Sequence, residues 1–166
     1  MRGLLILMSP LLGVIFVLSA AAQEKPNTPA PVKPNYTGTW KLNLAKSDYG
    51  PVPAPESQVY TIEHKEPSIK ISVEQKGGAR GDIKYALDLA TDGKEVAAIP
   101  ESLGSKSAAT WDGEVLVIKT NTQYQGSPIT IESKYTLSKD GKTLNIAAHI
   151  VGSFGEVDTS AVYDKQ

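Results

Sequence analysis

The chain contains no cysteine, and only two arginines (Arg2 and Arg80), two histidines and two phenylalanines. Each shortage removes a class of explanation. Without cysteine there is no disulfide, no thiolate metal site, no lipid-modified cysteine and no thiol nucleophile, so stability must come from an ordinary core. With so few arginines there is neither a basic patch nor a set of guanidinium forks, and nucleic-acid binding is not expected. His64 shares a strand face with Tyr60 and Ile62, whereas His149 lies opposite Ile146, Ala148 and Ile150. Alternation therefore aims His64 inward and His149 at solvent, where the two cannot share a metal, and no third ligand stands near either. Glu63 points away from its neighbour His64, and no serine sits in a glycine elbow. No catalytic residue, metal or cofactor is expected, and the sequence reads as a non-enzyme.

Long apolar runs are also scarce, and the longest lies at the N-terminus. Arg2 precedes the apolar stretch from Leu4 to Leu18, and Ser19-Ala20-Ala21-Ala22 offers small residues for cleavage. Residues 1–22 read as a signal peptide, with Pro10 and the small-residue exit favouring removal over retention as an anchor. The segment 23–35, rich in proline and polar residues, reads as an extended linker. The chain is thus expected to be secreted or periplasmic, with no stable membrane insertion after cleavage. The whole chain carries a net charge of −1; removing Arg2 from 17 basic residues leaves 16 against 18 acidic, or −2.

What is abundant is alternation. Ile69, Ile71 and Val73 oppose Lys70, Ser72 and Glu74, and Ile83, Tyr85, Leu87 and Leu89 oppose Lys84 and Asp88. Ile129, Ile131, Ser133 and Tyr135 oppose Thr130, Glu132 and Lys134, while Leu144, Ile146, Ala148 and Ile150 oppose Asn145 and His149. Each run is a strand with one buried and one wet face. Asp92-Gly93, Asp112-Gly113 and Asp140-Gly141 punctuate the runs, and Asp-Gly suits a two-residue hairpin turn with positive φ at both central residues. About ten strands emerge, near 37–45, 57–65, 68–76, 82–90, 94–99, 104–111, 114–121, 128–137, 142–151 and 157–164. Such a meander leaves vulnerable edges unless it closes. The fold class is therefore all-β: an antiparallel up-and-down barrel over residues 36–166, with no substantial helix after the signal peptide.

Placing the apolar faces inward fills the interior with Trp40, Leu42, Leu44, Ile62, Ile69, Ile71, Val73, Ile83, Leu87, Leu89, Ile129, Ile131, Leu144, Ile146 and Ile150. The same parity turns Tyr60, His64, Tyr85, Ser133, Tyr135, Thr159 and Tyr163 inward, and these are the candidate ligand-binding residues. Eight strands are about filled by their own side chains, so ten tend to leave a cavity unless the barrel is flattened. That cavity is expected to be apolar, dotted with hydroxyls and free of carboxylates and lysines, which suits a hydrophobic small molecule. Tyrosine is also a good strand former whose buried hydroxyl often serves structure alone.

The opening Gly38-Thr39-Trp40-Lys41-Leu42 and the ending Ala161-Val162-Tyr163-Asp164-Lys165 together resemble the calycin superfamily, the lipocalins and fatty-acid-binding proteins. The ten-strand meander resembles the fatty-acid-binding branch, and the longer G-T-W-K-L-N-L-A-K-S resembles the start of small secreted bacterial β-proteins of lipocalin-like type. The resemblance implies that Trp40 closes the barrel base and that the interior holds a hydrophobic ligand. Three departures accompany it. Ala161 replaces an arginine that helps hold a ligand carboxylate, leaving Tyr163 alone. The arginine that stacks over the tryptophan in lipocalins has no counterpart. Gly50-Pro51-Val52-Pro53-Ala54-Pro55 cannot form the helical lid and reads as a stiff connection near the mouth.

Taken together, the sequence predicts a monomeric, exported binding protein for a hydrophobic small molecule. The alternative is a non-enzymatic structural or interaction module of the cell envelope that works through its loops. An outer-membrane barrel is disfavoured by uniformly short loops and the lack of aromatic girdles.

Overall fold

A computed structural model describes residues 32–166; the 1–22 leader and most of the 23–35 linker read from the sequence lie outside the described residues. Ten strands follow in chain order: β1 (Gly38–Leu42), β2 (Pro55–Lys65), β3 (Ser68–Gly77), β4 (Ile83–Ala90), β5 (Val96–Ala97), β6 (Lys106–Asp112), β7 (Val115–Tyr124), β8 (Ser127–Leu137), β9 (Thr143–Gly152) and β10 (Gly155–Lys165). They form one sheet in the order β4-β3-β2-β1-β10-β9-β8-β7-β6-β5. Consecutive strands other than β4 and β5 pair as antiparallel neighbours, and β1 joins β10 in register, Trp40 opposite Lys165 and Leu42 opposite Tyr163. The expected all-β meander barrel is what forms, and it is nearly closed. Its one seam lies between β4 and β5, where Ala86 and Ile99 exchange backbone hydrogen bonds of 2.9 and 2.8 Å. Among the described residues the helical pieces are two single 3-10 turns, Leu44–Lys46 and Glu101–Leu103.

The alternation has the anticipated physical result. On β3, Ile69, Ile71 and Val73 are buried while Lys70, Ser72 and Glu74 are exposed. They face Leu89, Leu87 and Tyr85 of β4 on one side and His64, Ile62 and Tyr60 of β2 on the other. Each fully buried aliphatic side chain on these faces contributes about 1.5–3 kcal/mol. Cross-strand rows of this kind hold register, because a slip of one residue would turn the whole set to solvent.

Three local expectations are corrected. Leu44 does not continue the first strand inward; it starts a 3-10 turn and is 44% exposed. The Ser47 hydroxyl donates to the Asn43 carbonyl at 2.8 Å, a local bond that competes with strand continuation. The fifth strand shrinks to two residues. In the Asp-Gly turns only the glycines take positive φ (81° at Gly93, 60° at Gly113 and 67° at Gly141), so the expected pairs of left-handed residues do not form there. Asp92 and Asp140 instead accept the amides of Lys94 and Lys142 at 3.0 and 3.1 Å. A two-residue hairpin turn with positive φ at both central residues does form at Gln125-Gly126, at 50° and 79°, between the paired Tyr124 and Ser127.

The base of the barrel is sealed by a residue just before β1 and one within it. Tyr36 and Trp40 are both fully buried. The Tyr36 hydroxyl donates to the Tyr135 carbonyl at 2.6 Å, and the Trp40 indole donates to the Tyr36 carbonyl at 2.9 Å. Trp40 is thus fully enclosed and tied to Tyr36. The cation above it, said to have no counterpart, is supplied by the last strand: Lys165 Nζ stands 5.2 Å from the ring centroid.

Glu66 ties this seal together from outside. One carboxylate oxygen accepts from the Trp111 indole at 2.9 Å and meets His64 Nε2 at 3.0 Å; the other accepts from Thr91 at 3.1 Å and Lys33 at 3.2 Å. Burial pushes the Glu66 carboxyl up, but the hydrogen bonds from His64, Lys33, Trp111 and Thr91 outweigh it and bring it down to about 2 from 4.5. A depressed acid stabilises the fold above its unfolded value and loses that contribution as pH falls toward the folded one. Because the side chain is 36% exposed, screening limits the contribution to about 1 kcal/mol. Between pH ~5 and ~2, the native chain is thus expected to lose about 1 kcal/mol more than Glu66→Gln in chemical unfolding. Parallel pH curves for the two would remove Glu66 from this role.

Candidate functional site

Above the base the interior is not filled. A cavity of about 220 Å³ lies in the mouth half of the barrel, bounded by inward faces of β2, β3, β4 and β6 to β10. Its origin is a row of small side chains in register across three strands: Ser133 of β8 faces Ala148 of β9, which faces Thr159 of β10. Ala161 on β10 continues the gap. Leucine or isoleucine at these positions would close the space, as Leu144, Leu116 and Ile62 do nearer the base.

Six of the seven candidate residues line this cavity: Tyr60, Tyr85, Ser133, Tyr135, Thr159 and Tyr163. The Tyr60 and Tyr163 rings meet edge to face at 5.0 Å. Burial pushes the hydroxyls of Tyr60, Tyr85, Tyr135 and Tyr163 up, so all four remain protonated donors at neutral pH. His64 is the exception. It points inward as its parity demands, but at the base, where its Nδ1 accepts the Tyr36 amide at 3.3 Å and its Nε2 meets Glu66. Those two contacts assign the Nε2–H tautomer and leave no free ring nitrogen for a ligand. His149 lies exposed on the outer face, beside Asp158 at 2.8 Å.

Several lining residues went unread in the sequence. Gln58 and Gln75 continue the inward faces of Tyr60 and Val73, so parity alone could have found them. The Tyr163 hydroxyl donates to Gln58 Oε1 at 2.5 Å, Gln58 donates to Gln75 at 2.7 Å, and Gln75 donates to the Gly77 carbonyl at 2.9 Å. This chain satisfies the buried amides and runs to the barrel rim. Ser105 with Thr122, and Ser107 with Thr120, form hydroxyl pairs at 2.6 and 2.8 Å. Tyr49 and Arg80 also line the cavity but sit on connections where no period points to them. The Tyr49 hydroxyl is buried and hydrogen-bonded to no protein group among the described residues.

Next to this cavity lies a second, more apolar space of about 490 Å³ at the mouth, bounded by Pro51, Val52, Pro53, Ile129, Phe154 and Val157 among others. Arg80, Ile131 and Ile150 border both spaces. The proline-rich connection forms one wall of this portal, as expected of a stiff segment near the mouth. It is strapped down at both ends: Asp48 exchanges backbone bonds of 2.7 Å with Ser160, and the Pro53 carbonyl accepts the Ala79 amide at 3.2 Å. Phe154, 56% exposed, folds back so closely on Gly152 that a Cβ there would lie 2.7 Å from its ring. An apolar portal above a hydroxyl-lined chamber can hold an elongated molecule with an apolar body and a weakly polar end.

No protein-family model matches the chain, and no curated protein matches its sequence. Its shape is matched by solved structures. One is a secretory abundant heat soluble protein from Ramazzottius varieornatus, at 13% identity and a TM-score of 0.54, over 78% of this chain and 94% of that one. Another is zebrafish ileal bile acid-binding protein complexed with cholic acid, at 13% identity and a TM-score of 0.51, over 79% of this chain and 98% of that one. At this level of identity the likeness is one of fold, a calycin-like β-barrel.

Proposed function

We propose that this protein binds a hydrophobic small molecule, held partly in the barrel chamber and partly in the portal, and that it does so outside the cytoplasm, secreted or in a periplasm. The observation that carries the reading is a hydroxyl-lined interior space bordered by an apolar one at the mouth, with Arg80, Ile131 and Ile150 lining both. The chamber alone, at about 220 Å³, is below the ~300–1,000 Å³ usual for ligand pockets, so the ligand must extend into the portal. The likeness to a barrel that carries cholic acid supports the same use of the fold. Export rests on the sequence of residues 1–22; among the described residues no helix is long and apolar enough to cross a membrane. Tyr60, Tyr85, Ser133, Tyr135, Thr159 and Tyr163 are the proposed contacts, with Tyr49, Gln58 and Arg80 added.

A second reading, an envelope interaction module working through its rim, is favoured by the exposed Phe154 and Ile99. The two are separated by mass spectrometry of small molecules extracted from the protein purified from the cells that make it. A hydrophobic compound at near-unit stoichiometry is expected. Clean protein that also takes up no hydrophobic probe would move the search to partners of the rim.

A further inference from the structure

His64 is buried, its side chain 3% exposed, yet it takes no part in lining the chamber. It anchors the chain ahead of β1 instead. Its Nδ1 accepts the Tyr36 amide at 3.3 Å, and its Nε2 meets Glu66 at 3.0 Å. The Thr37 hydroxyl donates to the His64 carbonyl at 3.2 Å and accepts the His64 amide at 3.0 Å. Farther out, Lys33 pairs with Glu66 at 3.2 Å and stands 5.2 Å from the Trp111 ring centroid. Residues 33–37 are thus fastened to the end of β2 and, through Trp111, to β6, which flank the seam from opposite sides.

This fastening works with one protonation state of one ring. A histidine that accepts a backbone amide at Nδ1 and donates from Nε2 is neutral. A second proton sets an Nδ1–H against the Tyr36 N–H, two donors head to head in a buried place. The ring has little room to turn aside, since it lies 5.9 Å from the rings of both Tyr36 and Trp111 and is held at Nε2 by Glu66. The Glu66 carboxylate favours the extra positive charge, and the Tyr36 amide opposes it. Lys33 reaches the ring only through Glu66, and the Tyr36 hydroxyl is turned away to the Tyr135 carbonyl. On β3 the ring faces Ile69, while Glu63 and Lys65, its neighbours on β2, are exposed on the outer face. Relief therefore comes from the chain ahead of β1. Lys33, Asn35 and Thr37 are exposed, and residues 33–37 belong to no strand, so moving them breaks no ladder.

We propose that residues 33–37 are an acid-released clasp: a proton taken up by His64 at Nδ1 displaces the Tyr36 amide and loosens this stretch from the barrel base, while the ten strands stay paired. The clasp stands whether or not the chamber holds a ligand.

The test is amide hydrogen exchange of the full chain, followed residue by residue by NMR at about pH 7.5 and about pH 5.5, the range in which histidines ordinarily change charge, and corrected for the intrinsic rate at each pH. Protection of the Tyr36 amide is expected to fall about tenfold on acidification, the loss of a hydrogen bond, while the amides of β3 and β9 keep theirs. His64→Gln, which stays neutral, is expected to change by less than about twofold between the two conditions. Should that variant fail to fold, Glu66→Gln serves: without the carboxylate the ring is harder to charge, and the loosening is expected about one pH unit lower. Equal Tyr36 protection at both pH values in the native chain overturns the clasp. So does a fall that persists undiminished in His64→Gln, or one that Glu66→Gln leaves in place or moves to higher pH.

Discussion

Trp40→Ala is expected to destabilise the protein by about 4 kcal/mol, the largest single-residue effect in the barrel. The indole is fully buried, so truncation leaves a cavity that the rigid base cannot collapse into. It also orphans the Tyr36 carbonyl, which accepts from the indole at 2.9 Å, and strands Lys165 above a missing ring. A domain of this size holds only about 5–15 kcal/mol in all, and the loss should lower the melting temperature by roughly 15 °C. Trp40→Phe keeps most of the packing and loses the donor, at about 1–2 kcal/mol. Chemical unfolding followed through Trp111, the remaining indole, measures both. A Trp40→Ala variant within about 1 kcal/mol of the native protein would show that the seal rests on Tyr36 and its neighbours instead.

Ser133→Trp is expected to abolish most ligand binding while the fold survives. Ser133 occupies the β8 end of the small-residue row and lines the chamber, so an indole there projects into it and takes up most of about 220 Å³. If a ligand buries on the order of 100 Å² in the chamber, its exclusion costs about 2.5 kcal/mol, or nearly two decades of affinity. The portal, walled by other residues, stays open and accounts for what binding remains. Crowding at the new indole is expected to cost about 1–3 kcal/mol of stability. Ser133→Ala is the control: it removes a hydroxyl, keeps the volume, and should bind within a few-fold of native, about 1 kcal/mol. Titration with N-phenylnaphthylamine, alongside thermal unfolding of the same samples, reads both effects. Native affinity in Ser133→Trp would place the ligand wholly in the portal.

The strands were legible because a barrel wall has one wet face, and a two-residue period is the unavoidable mark of that. Tyr60, Tyr85, Tyr135 and Tyr163 were legible for the same reason, each holding the parity of aliphatic neighbours. Parity, however, says inward and not how high. His64 and Tyr60 share a face of β2, four residues apart, yet one is locked into the base seal and the other opens onto the chamber. Leu44 failed because a hydroxyl bond from Ser47 was enough to turn the chain after Leu42. Tyr36 escaped notice because it precedes the first alternating run, in the stretch that docks under the barrel.

What the sequence determined by itself was the all-β meander, its approximate strand limits, the inward faces and the stiff proline-rich wall. All of these follow from local stereochemistry and from the cost of exposing apolar faces. Only the tertiary structure decided that β1 and β10 join, that the seam falls between β4 and β5, and that three small residues line up across strands to leave a chamber. It also decided that Arg80, on a glycine turn without any period, borders both the interior space and the portal. Those outcomes depend on register and closure, where residues about a hundred positions apart in the chain become neighbours, and no local pattern encodes such distances.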